Sequence, residues 1–270
     1  MPNSSIRLVL ITSNHWRHHL AADYLNKNFN LLGIVSESRR QLKSGETPEE
    51  DRVIKDYDRE CADKEREYFS KFDKFPLSEE KILRIDYGES SSQKVFDWIK
   101  NLNPDYIILV SSGVIKDSLL TEYSGRILNL HLGLTPYYRG SANAFWPLAS
   151  GEPECLGATV HLVTPKLDGG DVLAQSRPED ARADDGPRDI SNKNVLSGLD
   201  LLVKCIEGYA NGLIKPQPQS FDVGRVFRHK DYNAQAILKL KENFANGMLK
   251  KYLDNKIERD RLKPIIGLPK

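Results

Sequence analysis

Asn129 and His131, in the stretch "RILNLHLGLTPYYRGSANAFWPL", are side chains capable of chemistry at a point where an apolar strand should simply end. They are two positions apart, so as strand residues they present both side chains to one face. An amide N–H can donate to an oxygen that gains negative charge when a carbonyl is attacked. An imidazole titrates near neutrality and can move a proton on or off the attacking group. A carboxylate is the natural third member, to set the imidazole's tautomer and orientation. Asp168 in "PKLDGGD" stands in a turn beside glycines that leave room for a ligand. Spacing alone leaves the plainer alternative open, in which His131 closes a strand and Asp168 is an ordinary turn residue.

Such residues need a scaffold. Short apolar runs at 6–12, 31–37, 81–86, 104–113 and 126–131 read as strands. Helical spacing intervenes at 15–28, 91–102 and 115–123, and the opening β-α-β order predicts an α/β domain with a parallel sheet. A short helix is expected at 142–150. Segments 156–164 and 171–178 alternate apolar and polar residues, which predicts later strands buried on one side. Residues 38–47 read as a polar loop. Residues 48–72 read as a long charged helix with a thin apolar stripe, begun by Pro48. A solvated helix lying on the domain, a homodimer contact and a lid are three readings open to it. An amphipathic helix at 187–212 ends at Gly212. A Pro/Gln segment follows, then a helix pair or bent helix at 233–253. The expected organisation is a catalytic domain over 1–212 and a C-terminal extension over 213–270, too small for its own core and therefore packed on the domain.

Composition narrows the function. The chain has 270 residues, 39 % of them apolar, with a net charge of +1. A balanced charge gives no electrostatic reason to expect a nucleic-acid partner. Three cysteines, Cys61, Cys155 and Cys205, lie far apart and form neither a CxxC pair nor a disulfide framework, which fits a reducing cytoplasm. The apolar run near the N-terminus is too short for a signal peptide, and no run approaches the ~20 apolar residues of a membrane span. A cytoplasmic protein without membrane attachment is expected.

Ligands of open α/β sheets bind in loops at the carboxyl ends of strands. Four stretches qualify: "SNHWRHH", "SSGVI", "NLHLGLTPYYRG" and "PKLDGGD". In the first, a helix start suits an anion, with His15 and Arg17, beside His18 and His19, available to a phosphate or sugar. His15 and His19 are four apart, but no partner stands at ligand spacing, so no metal is expected. In the third, Tyr137, Arg139 and Gly140 form either a rigid turn or a surface for an acceptor substrate. His161, two residues from Thr159 on an alternating strand, reads as structural.

The run from 129 to 175 resembles the core of the folate-dependent formyltransferases, which include glycinamide ribonucleotide transformylase, methionyl-tRNA formyltransferase and the sugar N-formyltransferases. The elements are Asn129 and His131, a loop with Pro136 and Arg139-Gly140, a short helix, then Gly157, Thr159 and His161, then Leu167, Asp168 and Gly170. They stand in order and without gaps. The likeness extends upstream to Pro104 and fades before residue 80 and after about 210. The resemblance implies a Rossmann-like, mostly parallel sheet flanked by helices, and 10-formyltetrahydrofolate as formyl donor. It implies a pterin lying against Ser111, Ser112, Gly113, Val114 and Ile115 and against Pro165, Leu167 and Gly169. It also implies Asn129, His131 and Asp168 as the catalytic triad, with direct transfer of the formyl group to an amine and no metal.

Departures from the relatives point to the acceptor. The segment "TSNHWRHH" lacks the glycine-rich phosphate loop of glycinamide ribonucleotide transformylase. The near-zero charge and the short stretch after 212 differ from the basic surface and larger C-terminal domain of methionyl-tRNA formyltransferase. A nucleotide-linked amino sugar is therefore the expected small-molecule substrate. Four alternatives stay open: a hydroxyornithine-like amine, glycinamide ribonucleotide, hydrolysis of 10-formyltetrahydrofolate, and folate binding without catalysis.

Overall fold

The computed structural model describes residues 3–38, 45–142 and 144–269. The chain opens with β1 (Asn3–Ser13), α1 (Trp16–Asn28), β2 (Phe29–Glu37) and the long α2 (Pro48–Phe69). There follow β3 (Ile82–Ile85), α3 (Gln93–Leu102), β4 (Tyr106–Val110), α4 (Asp117–Glu122) and β5 (Ile127–His131). Next come β6 (Tyr138–Gly140), α5 (Trp146–Ala149), β7 (Ala158–Leu162), β8 (Val172–Ser176) and α6 (Pro187–Ala210). Beyond them lie β9 (Arg225–Phe227), α7 (Ala234–Ala245), α8 (Met248–Asp254) and α9 (Lys256–Leu262).

Among the described residues, seven strands form one sheet in the order β3-β2-β1-β4-β5-β7-β8, so the expected α/β class and mostly parallel sheet are present. Pairing is parallel from β3 to β5 and antiparallel from β5 through β7 to β8. The strands are rich in β-branched and leucine side chains and sort them by parity. Leu8, Leu10, Leu128 and Leu130 join Leu20, Leu25 and Leu199 in a core under α1 and α6. Val9, Ile11 and Ile127 point the other way, into a core with Val95 and Ile99 of α3 and Leu119 of α4. Asn129 and His131 share the parity of Ile127, and so lie on the α3–α4 side of the sheet.

Two expectations change. β7 and β8 are not one-sided: four of the five residues of each are buried. α6 packs on both strands, and on β7 the Asp168 carboxylate approaches His161. The helix at 142–150 shrinks to the four residues of α5, and Asn143 lies outside the described residues, as does most of the polar loop at 38–47.

α2 starts as its sequence demands, with Thr47 accepting from the Glu50 N–H at 3.2 Å, Pro48 in the first turn and acidic residues beside it. It is a packed helix, not a free one. Ile54 and Tyr57 share a third core with Tyr138, Phe145 and Trp146 and with Ile237, Leu240, Leu249 and Tyr252 of α7 and α8. Gly212 and Gly247, both at φ +70°, end α6 and separate α7 from α8. The short ribbon of β6 with β9, and α9, carry no clear periodic signal in the sequence.

Candidate active site

The site begins with register. Asn129 of β5 stands opposite His161 of β7, and His131 stands opposite Thr159. The His161 Nδ1–H donates to the Leu162 carbonyl at 2.8 Å, which leaves Nε2 as an acceptor. The Asn129 amide donates to that nitrogen at 3.0 Å. His161 therefore fixes which way the amide faces. Thr159 organises the loop after β5: its hydroxyl donates to the Gly133 carbonyl at 2.7 Å and accepts from the Thr135 N–H at 3.1 Å.

Asp168 arrives by an indirect route. β7 runs against β5, so the loop after it starts beside the amino end of β5, where the Val163 N–H donates to the Ile127 carbonyl. The loop must turn back along the sheet to reach His131. It does so at Gly170, where a Cβ would lie 1.7 Å from the Leu162 carbonyl oxygen, and at Asp168 itself, whose φ is +46°. A left-handed aspartate is tolerated but costs energy, which a functional position often carries. One Asp168 oxygen sits 3.4 Å from His131 Nδ1 and 3.7 Å from His161 Nε2. The other accepts the Gly140 N–H at 2.7 Å. Gln219 donates to the carbonyls of Asp168 and Gly170 and pins the loop from outside.

His131 is buried, and its Nε2–H donates to the Tyr138 carbonyl at 3.1 Å. That contact leaves Nδ1 on the carboxylate side as the place for a proton. Burial lowers the His131 pKa, against the opposing pull of Asp168. Burial pushes the Asp168 carboxyl up, but the two imidazoles and the Gly140 N–H outweigh it and hold it below the usual carboxylate range. At neutral pH the pair is an anionic carboxylate facing an imidazole that can receive one proton and then be charge-balanced. The three residues read from spacing thus come together, and sequence reasoning missed the work of His161. Its signal was present, since Thr159 and His161 repeat the period-2 spacing of Asn129 and His131 on the neighbouring strand.

In the two loops that the resemblance links to a pterin, Val114 is 63 % exposed and Leu167 44 %. Ile115 is buried and anchors its loop, while Ser111 takes a φ of +52°. Ser112 donates within the loop to the Gly113 carbonyl at 3.2 Å. Glu37, at the carboxyl end of β2, accepts the Gly113 N–H and the Gly88 N–H, each at 2.8 Å. It is a loop-holding residue that no local pattern marked. In the second loop, Gly169 donates to the Lys166 carbonyl at 3.0 Å, one residue after Pro165.

His15 and Arg17 behave differently from expectation. His15 Nδ1 meets a Glu65 oxygen at 2.5 Å, and an Arg17 guanidinium nitrogen meets the other at 3.1 Å. Arg188 of α6 joins at 3.6 Å. Burial pushes the Glu65 carboxyl up, but Arg17, His15 and Arg188 pull it well below the carboxylate range. The helix start that suited an external anion thus already holds an internal one. His19 turns to Asn14 and the Phe72 carbonyl, so the rings of His15 and His19 do not converge. In the acceptor loop, Tyr137 donates to the Pro264 carbonyl at 3.0 Å, and the Arg139 guanidinium lies over the Phe221 ring.

The model for formyl transferases matches residues 12–206. The chain belongs to the formyl transferase family. Asn129, His131, Asp168, the loops beside them and α1 to α5 fall within the matched span, which ends inside α6. Among curated proteins, the methionyl-tRNA formyltransferase of Hydrogenobaculum sp. is 35 % identical over 150 residues, 54 % of this chain and 49 % of that protein. The chain spans less than half the length of the curated relatives it matches. Two solved formyltransferases have similar folds. The phosphoribosylglycinamide formyltransferase of Anaplasma phagocytophilum has a TM-score of 0.55 at 13 % identity, over 83 % of this chain and 98 % of that one. The N-formyltransferase of Helicobacter canadensis, solved with folinic acid and dTDP-3-aminofucose, has a TM-score of 0.54 at 14 % identity, over 87 % and 80 %.

Proposed function

We propose that this formyl transferase family member moves a formyl group from 10-formyltetrahydrofolate to the primary amine of a nucleotide-linked amino sugar. The observation that carries the reading is the Asn129 amide, aimed by His161, beside an imidazole that faces an anionic carboxylate. The donor supplies an activated formyl group, and the exposed Val114 and Leu167 side chains can cover the face of its flat heterocycle. The attacking amine forms a C–N bond to the formyl carbon. The Asn129 N–H donates to the formyl oxygen as it gains charge. His131 takes the proton that the amine must lose and returns one to the departing donor nitrogen. Asp168 balances the imidazolium between those two events.

Three observations support the sugar acceptor. The net charge of +1 gives little attraction to an RNA backbone. Two structures of similar fold were solved with nucleotide-linked sugars, dTDP-3-aminofucose in one and a UDP-linked formamido sugar in the other. Tyr137, Arg139 and Gly140 lie next to Asp168 through the Gly140 N–H. The curated relatives, methionyl-tRNA formyltransferases by name, supply the rival acceptor, an aminoacyl-tRNA.

Tetrahydrofolate release from 10-formyltetrahydrofolate, measured with purified protein and a panel of acceptors, separates these readings. Turnover only with dTDP- or UDP-linked amino sugars is the expected result. Turnover only with methionyl-tRNA replaces the acceptor, turnover in buffer alone makes the protein a hydrolase, and no turnover with any acceptor removes the catalytic reading.

A further inference from the structure

One row of buried polar side chains crosses three strands at the site. His131 on β5 stands opposite Thr159 on β7, and Thr159 stands opposite Gln175 on β8. Residues directly opposite in antiparallel strands share a face, so the three lie side by side. A buried amide costs free energy unless its groups are bonded, and an apolar side chain would fill position 175 without that cost. Gln175 has partners on two sides. Its amide nitrogen donates to the Thr135 carbonyl at 2.5 Å and to the Thr159 hydroxyl at 3.0 Å. Its amide oxygen accepts the Ile266 N–H at 3.0 Å, and its backbone N–H donates to the Ile266 carbonyl at 2.6 Å. The residue joins the loop after β5 to the C-terminal segment.

Both ends of that link bear on His131. In the loop, the Tyr138 N–H donates to the Leu134 carbonyl at 2.9 Å, one residue before Thr135. The Tyr138 carbonyl accepts the His131 Nε2–H, and the Gly140 N–H holds Asp168. A shift at Thr135 therefore moves the group that fixes the His131 tautomer. At the other end, β8 closes the sheet, and an edge strand leaves backbone groups to be covered. Gln217 covers β8 at Val172, and Ile266 covers it at Gln175. The covering segment is itself fixed: Arg177 donates to the Lys263 carbonyl, and Tyr137 donates to the Pro264 carbonyl at 3.0 Å. Residues 263–266 thus grip the loop directly through Tyr137 and indirectly through Gln175. They lie beyond residue 206, where the family match ends.

We propose that Gln175 is a positioning residue for formyl transfer and that the C-terminal segment acts through it. Held between Ile266 and Thr135, its amide keeps the Tyr138 carbonyl in place. His131 then carries its resting proton on Nε2 and leaves Nδ1 open towards Asp168. The inference rests on the formyl-transfer reading above and gives it a residue two strands away from β5.

Gln175→Met and Ile266→Pro, made in the full chain, test it. The readouts are steady-state kinetics with 10-formyltetrahydrofolate and the acceptor selected by the panel above, and nitrogen NMR of histidine-labelled protein. The His131 ring signals are identified by their loss in His131→Gln. Gln175→Met fills the space but leaves the Thr135 carbonyl without its donor. It should lower kcat on the order of tenfold or more, the scale of a misplaced catalytic group. The KM for the donor should move by less than about twofold, as expected when ground-state binding is untouched. His131 should change from one Nε2-protonated form to a mixture of tautomers. Ile266→Pro removes only the N–H that holds the Gln175 amide oxygen. It should lower kcat less, and should add nothing in the Gln175→Met background. A folded Gln175→Met with parental kcat and an unmixed His131 tautomer would overturn the assignment and leave the transfer reading standing. If that variant does not fold, Ile266→Pro decides, and parental kcat and tautomer there are the overturning result. No turnover by the parent protein with any acceptor would overturn both readings, and it is seen before any substitution is made.

Discussion

Among the described residues, two carboxylates, Glu65 and Asp168, meet histidine, and their surroundings are built to opposite ends. Glu65 meets His15 at 2.5 Å with Arg17 and Arg188 alongside. Asp168 meets His131 at 3.4 Å with a second imidazole and a backbone N–H, and no guanidinium contacts it among the described residues. Glu65 has permanent counter-charge. It ties the start of α1 to α2 and α6 whatever the protonation of His15. Asp168 gains a full counter-charge only when an imidazole takes a proton, so its surroundings respond to a proton in transit. A carboxylate beside an imidazole is therefore a structural lock in one corner and, on the proposed function, a proton-handling site in the other. The deciding factor is the arginines.

Substitutions that cost each pair its function should separate the two. Asn129→Ala and Asp168→Asn should each lower kcat by on the order of 10²- to 10³-fold, the usual cost of losing an oxyanion donor or the orienting charge. Asparagine accepts the left-handed conformation of position 168, so thermal unfolding should stay close to that of the parent. If Asp168→Asn melts the protein as severely as Glu65→Ala, the contrast between lock and site is wrong.

Glu65→Ala should show the reverse pattern. Removing one partner from a buried ion cluster costs about 3–5 kcal/mol, which for a chain of this size lowers Tm by on the order of 10 °C. The kcat of the protein that remains folded should change little. The pH dependence follows from the lowered folded-state pKa of Glu65. Its contribution is fully present above the ordinary glutamate pKa and is lost as pH falls below that value. Thermal unfolding followed from neutral pH down to pH ~3 should therefore show an acid-side loss that Glu65→Gln largely lacks.

A smaller effect is expected one step from the chemistry. His161→Ala frees the Asn129 amide and should lower kcat by on the order of 10- to 100-fold, the scale of a misplaced catalytic group. The KM for the donor should move far less, and His161→Ala with unchanged kcat would remove His161 from the positioning of Asn129. The smallest and sharpest measurement is the acid limb of kcat. Burial lowers the His131 pKa, so activity should fall on acidification with a midpoint below the ordinary ~6.5 of histidine. Asp168 pulls the other way, so the residual activity of Asp168→Asn should show its limb at still lower pH. A limb that moves upward would reverse the assigned roles of the two residues.

Local patterns carried a large part of this protein. Period-2 spacing placed Asn129 and His131 on one face of β5, and it held because both neighbours of the strand fix its register. The turn glycine at 212 and the proline at 48 marked real helix boundaries, because their backbone preferences act within a few residues. The reading of His15 and Arg17 as open to an anion used the same local logic. It missed a carboxylate about fifty positions away on α2, which approaches only once α1 and α2 pack.

The sequence by itself determined which side chains could do chemistry and which strand would carry two of them, since both depend on residue type and on spacing shorter than one element. Only the tertiary structure decided how Asp168 returns to His131. That route depends on β7 running antiparallel to β5, and no residue within the loop specifies the direction of a neighbouring strand. The tertiary structure alone also decided that His161 aims Asn129 and that β9 lays Phe227 against Gly140. These contacts join segments tens of residues apart, and their geometry is set by sheet register and helix packing rather than by any periodicity in the chain.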